Sequence, residues 1–464
     1  MASPDEEKQP STDVEQDREY HPTRWQSNTT LVSCYLANFS DGWQNSLANP
    51  TNVIFKHLLA SYPSQMKTRL SNSVLVGAIL GILVLGFTCD FVSRRGGLLF
   101  TSSLVAIGTF LAIFALQVHP SHDMLWYFVS VRGIAGFGVG GEYPPSAAAG
   151  LEESDDFFPK YRGPLFVSFT TLMATISGPV LQLVYLLALV ASHNNLTVAF
   201  HAMYAIATIL PVVIIVLRVF MVDSSLFYHS NILPQRRSIR MYLLLARRYW
   251  WRILTTSLAF FLYDFINFPN SIMSSTIIAS LVQDHDIRKT AIWQVVLAVL
   301  PVPGVVIGAW LTNAIGRRNT GILGFAGYLV LGFIIGATYA KLSQHIVAFV
   351  VLYGLLQAFG HMGPGATIGL ISSEAFPTAI RGMGYGIATA FGRTGAAVGT
   401  ECFTPLQEAA GNHATFYLAG GVAVLGILVY WFLPESSQIN LPEEDRALER
   451  FLAERGYHLE KGSS

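Results

Sequence analysis

The sequence predicts an all-α membrane protein of twelve transmembrane helices arranged as two pseudo-symmetric six-helix halves. Three observations predict it. Of 464 residues, 52% are hydrophobic and only 12% charged, where a soluble domain is about one quarter charged. Apolar runs recur along the chain, each long enough to cross ~30 Å of hydrocarbon at ~1.5 Å per residue. Landmarks of the first half return in the second at one constant offset.

The runs fall near 28–50, 70–91, 96–117, 124–147, 163–191 and 198–220, then 252–282, 290–312, 319–340, 345–370, 380–402 and 413–433. The opening residues, MASPDEEKQPSTDVEQDREYHPTR, are polar and acidic and lack the basic start, apolar run and cleavage site of a signal peptide. The expected organisation is a disordered cytosolic tail over 1–27, a first half over 28–221 and a cytosolic connecting loop over 222–250. A second half follows over 251–434, with a cytosolic tail carrying one short helix over 435–464. With the amino terminus in the cytosol, Arg94/Arg95, Lys160/Arg162, the cluster Arg236, Arg237, Arg240, Arg247 and Arg248, then Arg317/Arg318 and Arg381 all face inward. That satisfies the positive-inside rule and places both termini in the cytosol. Asn195 of Asn-Leu-Thr then lies outside as a glycosylation acceptor.

Asp41 and Asp264 are 223 positions apart, and so are the pairs Arg94/Arg95 and Arg317/Arg318. The same offset sets Gly140-Gly141-Glu142 against Gly363-Pro364-Gly365, and Thr170 against Arg393. Two parallel repeats related by an axis along the membrane normal produce such an offset.

Composition also excludes functions. The formal net charge is zero, which gives no nucleic-acid footprint. Cys34, Cys89 and Cys402 form no disulfide framework or metal spacing and read as packing residues. No nucleophile–base pair, metal cluster or nucleotide loop emerges, so neither enzyme activity nor a cofactor is expected.

Ionisable groups at membrane depth are costly and face the bundle interior, which makes them functional candidates. Asp41 and Asp264 occupy matching places, where each either carries a proton or joins helices by a hydrogen bond. Glu142 follows a glycine-rich helix face; it is a proton carrier or a structural partner of Arg132. Tyr143 donates to an anion or packs. Arg393, in Phe391-Gly-Arg-Thr-Gly, is a cation in an apolar helix with small neighbours; it binds an anionic substrate or bridges to an acid such as Asp264. Asn267 and Asn270 follow Asp264 by one and two turns, and Asn38, Gln44 and His361 offer further polar contacts. Pro269 bends the seventh span.

Gly86-Phe-Thr-Cys-Asp90-Phe-Val-Ser-Arg94-Arg95 resembles the major facilitator signature between the second and third helices, and Asn313-Ala-Ile-Gly316-Arg317-Arg318 is its echo. Arg132-Gly-Ile-Ala-Gly136-Phe-Gly138-Val-Gly140-Gly141-Glu142-Tyr143-Pro144, with Ser372-Ser-Glu374-Ala-Phe-Pro377-Thr-Ala-Ile-Arg381-Gly382 and Ala37-Asn-Phe-Ser-Asp41-Gly42, resembles the phosphate:proton symporter branch. Within it the fungal glycerophosphodiester permeases are most similar. The resemblance implies the major facilitator fold and matches Asp41, Glu142 with Tyr143, and Asp264 to the family's site. It also shows departures: Phe260 and Phe268 flank Asp264 where the phosphate carriers have Trp and Tyr, Gly365 stands for Asn, Thr171 for Gln and Arg393 for Lys. Each loss removes volume or reach and predicts an enlarged anion site, while an arginine fork grips two phosphodiester oxygens.

The expected substrate-binding residues are therefore Arg393, Tyr143, Asp264, Asn267, Thr171, Phe268 and His361, with Asp41, Glu142 and Asp264 coupling protons. Asp90, Arg94, Arg95, Arg132, Arg317, Arg318, Glu374 and Arg381 are expected to gate or brace the halves. The implied function is proton-coupled uptake of glycerophosphoinositol or glycerophosphocholine by alternating access. Alternatives are inorganic phosphate:proton symport, a sugar or polyol porter, and a receptor that signals without transporting. The expected setting is the plasma membrane, with a small anionic organophosphate and protons as partners, the lipid bilayer around a monomer, and no nucleic acid.

Overall fold

A computed structural model describes residues 24–59, 61–88, 94–157, 162–220, 239–282, 286–377, 380–436 and 441–455. The expected disordered tail over 1–27 lies almost wholly outside them, as do Cys89 and Asp90.

The first half comprises α1 (Arg24–Ser46) continued by α2 (Ala48–Leu58), α3 (Ser64–Thr88), α4 (Arg94–Ile113) and α5 (Ser121–Phe157). It is completed by α6 (Arg162–Val167) joined through a π-helical turn, Ser168–Leu172, to α7 (Met173–Ala191), and by α8 (Leu196–Val219). A connecting helix α9 (Ile239–Arg248) precedes α10 (Trp250–Leu281), α11 (Ile287–Val299) with α12 (Pro301–Ala314), and α13 (Arg317–Leu342). Next come α14 (Ile346–Gly360), a second π turn at His361–Gly365, α15 (Ala366–Glu374), α16 (Arg381–Ala410), α17 (Asn412–Phe432) and a terminal helix α18 (Leu441–Ala453). Taken end to end, these make six spans per half. The connecting loop expected over 222–250 thus contains a helix.

In hydrocarbon every backbone polar group must be satisfied within the chain, so long apolar runs become helices. Among the described residues, eight helical stretches are long and apolar enough to cross a membrane. The four spans that miss this criterion are α1/α2, α5, α10 and α16. Their hydropathy is lowered by Asn38, Asp41, Glu142, Asp264, Asn267 and Arg393, the groups that the bundle turns inward. Outward faces carry Leu80, Phe110, Ile209, Trp310, Val330 and Trp431, all exposed to the surroundings of the bundle.

Caps and glycines fix the element ends and separations. The side chain of Asn195 accepts from Thr197 and Val198 N–H and starts α8, and Asp286 does the same for Arg288 and Lys289 at α11. A side chain at Gly140 would meet the Ala78 carbonyl 2.0 Å from its first carbon. The glycine face of α5 therefore lets α3 approach backbone to backbone. Each half has its own aromatic core. The first is centred on Phe55, Phe128, Phe200 and Tyr204; the second is built around Phe325, Tyr328, Phe349, Tyr353 and Phe416.

α18 docks beneath the second half. Leu448 and Leu452 pack with Leu245, Tyr249 and Phe376, and Arg252 donates to Glu444 at 2.8 Å. This end, where the chain enters and leaves the bundle, is called the terminal face below.

Candidate functional site

Between the halves lies a cavity of about 220 Å³. One wall is built by Asn38, Asn45 and Ser46 of α1, Tyr143 of α5, and Thr170, Thr171 and Thr175 around the first π turn. The other is built by Phe260, Tyr263, Asp264, Asn267, Phe268 and Ser271 of α10, His361 and Gly365 of the second π turn, and Tyr385, Thr389 and Arg393 of α16. All seven residues expected to bind substrate, Arg393, Tyr143, Asp264, Asn267, Thr171, Phe268 and His361, line this one cavity.

Arg393 dominates it. Its guanidinium carbon lies 4.7 Å from the ring centroids of both Tyr143 and Phe268, held by cation–π attraction from two halves of the molecule. Nη2 donates to the Tyr143 hydroxyl, while Nη1 is buried without a partner among the described residues. Among the described residues no carboxylate forms an ion pair with it, so the alternative of a bridge to Asp264 is not realised in this conformer. Asp264 and Asp41 nevertheless act on it electrostatically. Small residues of α16 allow the approach. A side chain at Gly392 would meet Asp264 Oδ2 at 3.0 Å, and one at Gly395 would meet the Phe261 carbonyl at 2.3 Å.

The two π turns face each other across the halves. Thr171 Oγ1 donates to the Gly365 carbonyl at 2.9 Å, joining them at the cavity wall. Widened turns of this kind recur at functional sites. His361 engages the Gln357 carbonyl through Nδ1 at 3.0 Å, and Asn267 Oδ1 lies 3.4 Å from the Tyr328 hydroxyl that donates to it. Gly365 corrects one expectation. The first carbon of any side chain there would meet the Tyr263 hydroxyl at 2.6 Å, so the volume vacated by the family's asparagine is taken by tyrosine and does not enlarge the site.

The expected proton carriers divide. Asp264 is on the cavity wall, whereas Asp41 and Glu142 are buried behind it. Glu142 pairs with Arg218 of α8, which also donates to Ser102 Oγ and, at 2.9 Å, to the Leu98 carbonyl. Arg132, the partner expected for Glu142, lies elsewhere: it donates to the Tyr204 hydroxyl at 2.9 Å and the Gln44 carbonyl at 3.2 Å. Asp41 Oδ1 is buried without a hydrogen-bond partner among the described residues. Asn270 points away from the cavity and donates to the Ile266 carbonyl. Sequence reasoning missed Arg218; its signal was a lone arginine inside the run Leu210-Pro-Val-Val-Ile-Ile-Val-Leu-Arg218.

At the terminal face Glu374 is fully buried among donors. Arg162 of the first half reaches it at 2.6 and 3.0 Å, Arg317 at 3.3 Å and Ser436 at 2.5 Å. Glu435 accepts from the backbone N–H of Arg317 at 2.9 Å and Arg318 at 3.1 Å. Arg95 donates to the Val219 carbonyl, and Arg381 is buried at the start of α16. The side chain of Arg94 lies outside the described residues. Arg162 read from sequence as a flanking charge only, and Glu435 and Ser436 were not singled out.

The opposite face is also bridged. Ser275 donates to Asn49 Oδ1 at 3.2 Å, Thr68 and Thr404 share a hydrogen bond at 3.0 Å, and Asn72 donates to Glu401 at 2.8 Å. Every one of these contacts joins the two halves.

Known proteins place the architecture. The family model described as sugar (and other) transporter matches residues 28–240 and 228–448. The chain belongs to this transporter family. It is 73% identical over 453 residues to the MFS-type transporter lnaF of Aspergillus flavus, covering 97% of this chain and 92% of the relative. It is 34% identical to glycerophosphoinositol permease 1 of Candida albicans, over 92% of this chain and 82% of that protein. The solved proton:xylose symporter XylE of E. coli superposes with a TM-score of 0.74 at 18% identity, over 91% of this chain and 99% of that one. The fold of this transporter is therefore the major facilitator fold. Its family and relatives are transporters, not enzymes.

Proposed function

We propose that this transporter is a proton-coupled symporter that takes up a glycerophosphodiester, glycerophosphoinositol or glycerophosphocholine, across the plasma membrane. It works as a monomer with both termini in the cytosol, so that the terminal face is the inner one. The observation that carries this reading is Arg393: a half-buried guanidinium on the cavity wall whose Nη1 is itself buried and, among the described residues, has neither a hydrogen-bond partner nor a paired carboxylate. A buried cation is costly until an anion meets it, and a planar fork suits two oxygens of a phosphodiester. The threonines and asparagines around it suit a polyol. A neutral sugar has no use for the charge. The relative named as a glycerophosphoinositol permease supports the same substrate class.

Asp264 shares the wall with Arg393. An anion that satisfies the guanidinium weakens its hold on the Asp264 carboxylate, which then takes up the proton that travels with the substrate. Asp41 and Glu142 are assigned a supporting part in that transfer. The two bridged faces open alternately as the halves rock about this site.

A second reading, inorganic phosphate:proton symport, is favoured by the small cavity, about 220 Å³ against ~300–1,000 Å³ for typical ligand sites. Uptake of radiolabelled glycerophosphoinositol, glycerophosphocholine and orthophosphate into cells lacking their own carriers separates the two, at acidic and neutral external pH with Arg393→Ala as control. Acid-stimulated diester uptake lost in the variant supports the first reading. Entry of orthophosphate alone supports the second.

A further inference from the structure

A second cavity, about 420 Å³ and with a largely apolar surface, opens between the halves near the face opposite the terminal one. Lys56 and His57 of α2, with Tyr62 and Lys67 from the turn into α3, form one side; Thr276 and Ala279 of α10 and Thr290 of α11 form the other. Its relation to the central site is a ladder of helical turns. On α1/α2, Ser46 lines the central cavity, Asn49 makes the inter-half bridge, and Asn52, Val53 and Lys56 line the second cavity. On α10 the matching series is Ser271, Ser275, then Thr276 and Ala279. A smaller chamber of about 100 Å³, lined by Ser46, Asn49, Ser271 and Ser274, continues from the central cavity to the Asn49–Ser275 rung, beyond which the second cavity begins on these helices.

The charged side chains that line this antechamber are Lys56 and Lys67. Lys56 and Lys67 repel each other, and the carboxylate acting on Lys67 is Glu408. Among the described residues neither lysine forms an ion pair. His57 is anchored through Nδ1 to the Val53 carbonyl at 2.9 Å, and Tyr62 donates to Asn52 Oδ1 at 2.7 Å, which keeps this rim ordered. A concave site walled by one sign of charge concentrates the opposite ion and raises its rate of entry.

We infer that this chamber is an outer capture site for a phosphate-bearing anion, with Lys56 and Lys67 as its cationic contacts, occupied before the Asn49–Ser275 rung parts. The inference rests on the anionic-substrate reading and on the orientation proposed above. Lys56 and Lys67 set how fast anions arrive, whereas Arg393 holds the anion for translocation.

The test reads the chamber without relying on transport. Ala279→Cys, which places a thiol on the chamber wall, is reacted from outside with an anionic and a cationic methanethiosulfonate. Modification of residue 279 is followed by peptide mass spectrometry and normalised to a free thiol in solution. The anionic reagent should be preferred by about tenfold, a charge-steering effect, and the preference should fall to near parity in Lys56→Gln/Lys67→Gln. Millimolar glycerophosphoinositol or orthophosphate should slow the reaction, and should still do so with Arg393→Ala. Parity of the two reagents in the lysine-containing protein, or protection by neither anion, overturns the capture site even if uptake proves the substrate reading correct. Preference with protection by orthophosphate alone supports capture, and the uptake assay decides against the diester separately. In transport, the double glutamine variant should raise KM several-fold and leave kcat within twofold.

Discussion

Arg162 of the first half reaches Glu374 of the second at 2.6 Å, across the seam that must part if the cavity is to open at the terminal face. Glu374 has no exposed surface; Arg317 shares its Oε1 with Arg162, and Ser436 donates to Oε2. The carboxylate is therefore the hub of the closure, and the arginine that crosses the seam is its releasable arm.

Glu374→Gln is expected to leave Arg162 and Arg317 without their counter-charge, where removing one partner of a buried pair costs about 3–5 kcal/mol. Uptake should fall sharply while equilibrium binding of substrate persists, and a cysteine at Thr170 should become reactive from the terminal side. Unchanged reactivity at that position would show that the closure does not depend on this pair.

Arg393→Lys keeps the charge but loses the fork and the flat face stacked between Tyr143 and Phe268. Charged hydrogen bonds contribute about 1.5–3 kcal/mol each, so kcat/KM for uptake should drop by roughly ten- to a hundredfold. A lysine variant with full activity would mean that the site asks only for a point charge.

The Glu142–Arg218 pair is expected to brace α5 against α8 in addition to the part assigned to Glu142 in the transfer. Glu142→Gln should lower the thermal midpoint, and the double variant Glu142→Gln/Arg218→Gln should recover part of the loss, with a coupling energy on the order of 1–3 kcal/mol in the cycle. Additive losses would leave Glu142 with the proton-carrying part alone.

Asp264→Asn should abolish accumulation against a gradient and its stimulation by acid, yet permit exchange of labelled for unlabelled substrate across proteoliposomes. If the asparagine variant still concentrates substrate, the travelling proton is held elsewhere, and Asp41, buried behind the wall with an unpartnered oxygen, is the next group to test.

Gly365→Asn restores the side chain found in phosphate carriers and drives it against the Tyr263 hydroxyl. Overpacking of this kind costs about 1–3 kcal/mol, and Tyr263→Phe in the same chain should relieve part of it. Thermal midpoints of the single and double variants measure the relief; no relief would place the clash elsewhere.

Much of the molecule was legible in sequence because a bilayer allows so few solutions. Apolar runs without water must close their own backbone hydrogen bonds, so the runs located the spans, and the constant offset between Asp41 and Asp264 indicated two halves. The residues expected to bind substrate share one cavity because all but Phe268 are polar groups in spans otherwise apolar, and such groups turn away from lipid. Partnership was another matter. Glu142 and Arg132 stand about 15 Å apart along α5, so the partner of Glu142 is whichever group the docking of α8 brings beside it, and a lone arginine late in an apolar run looks in sequence like a flanking charge. Arg162 likewise reads as a topology signal until the halves are docked and Glu374 lies beside it. The fate of the space at Gly365 depended on where α10 carries Tyr263. Sequence by itself determined what each helix had to hide; tertiary structure decided which hidden groups meet, because helix rotation and the docking of two halves are set by packing summed over the whole interface.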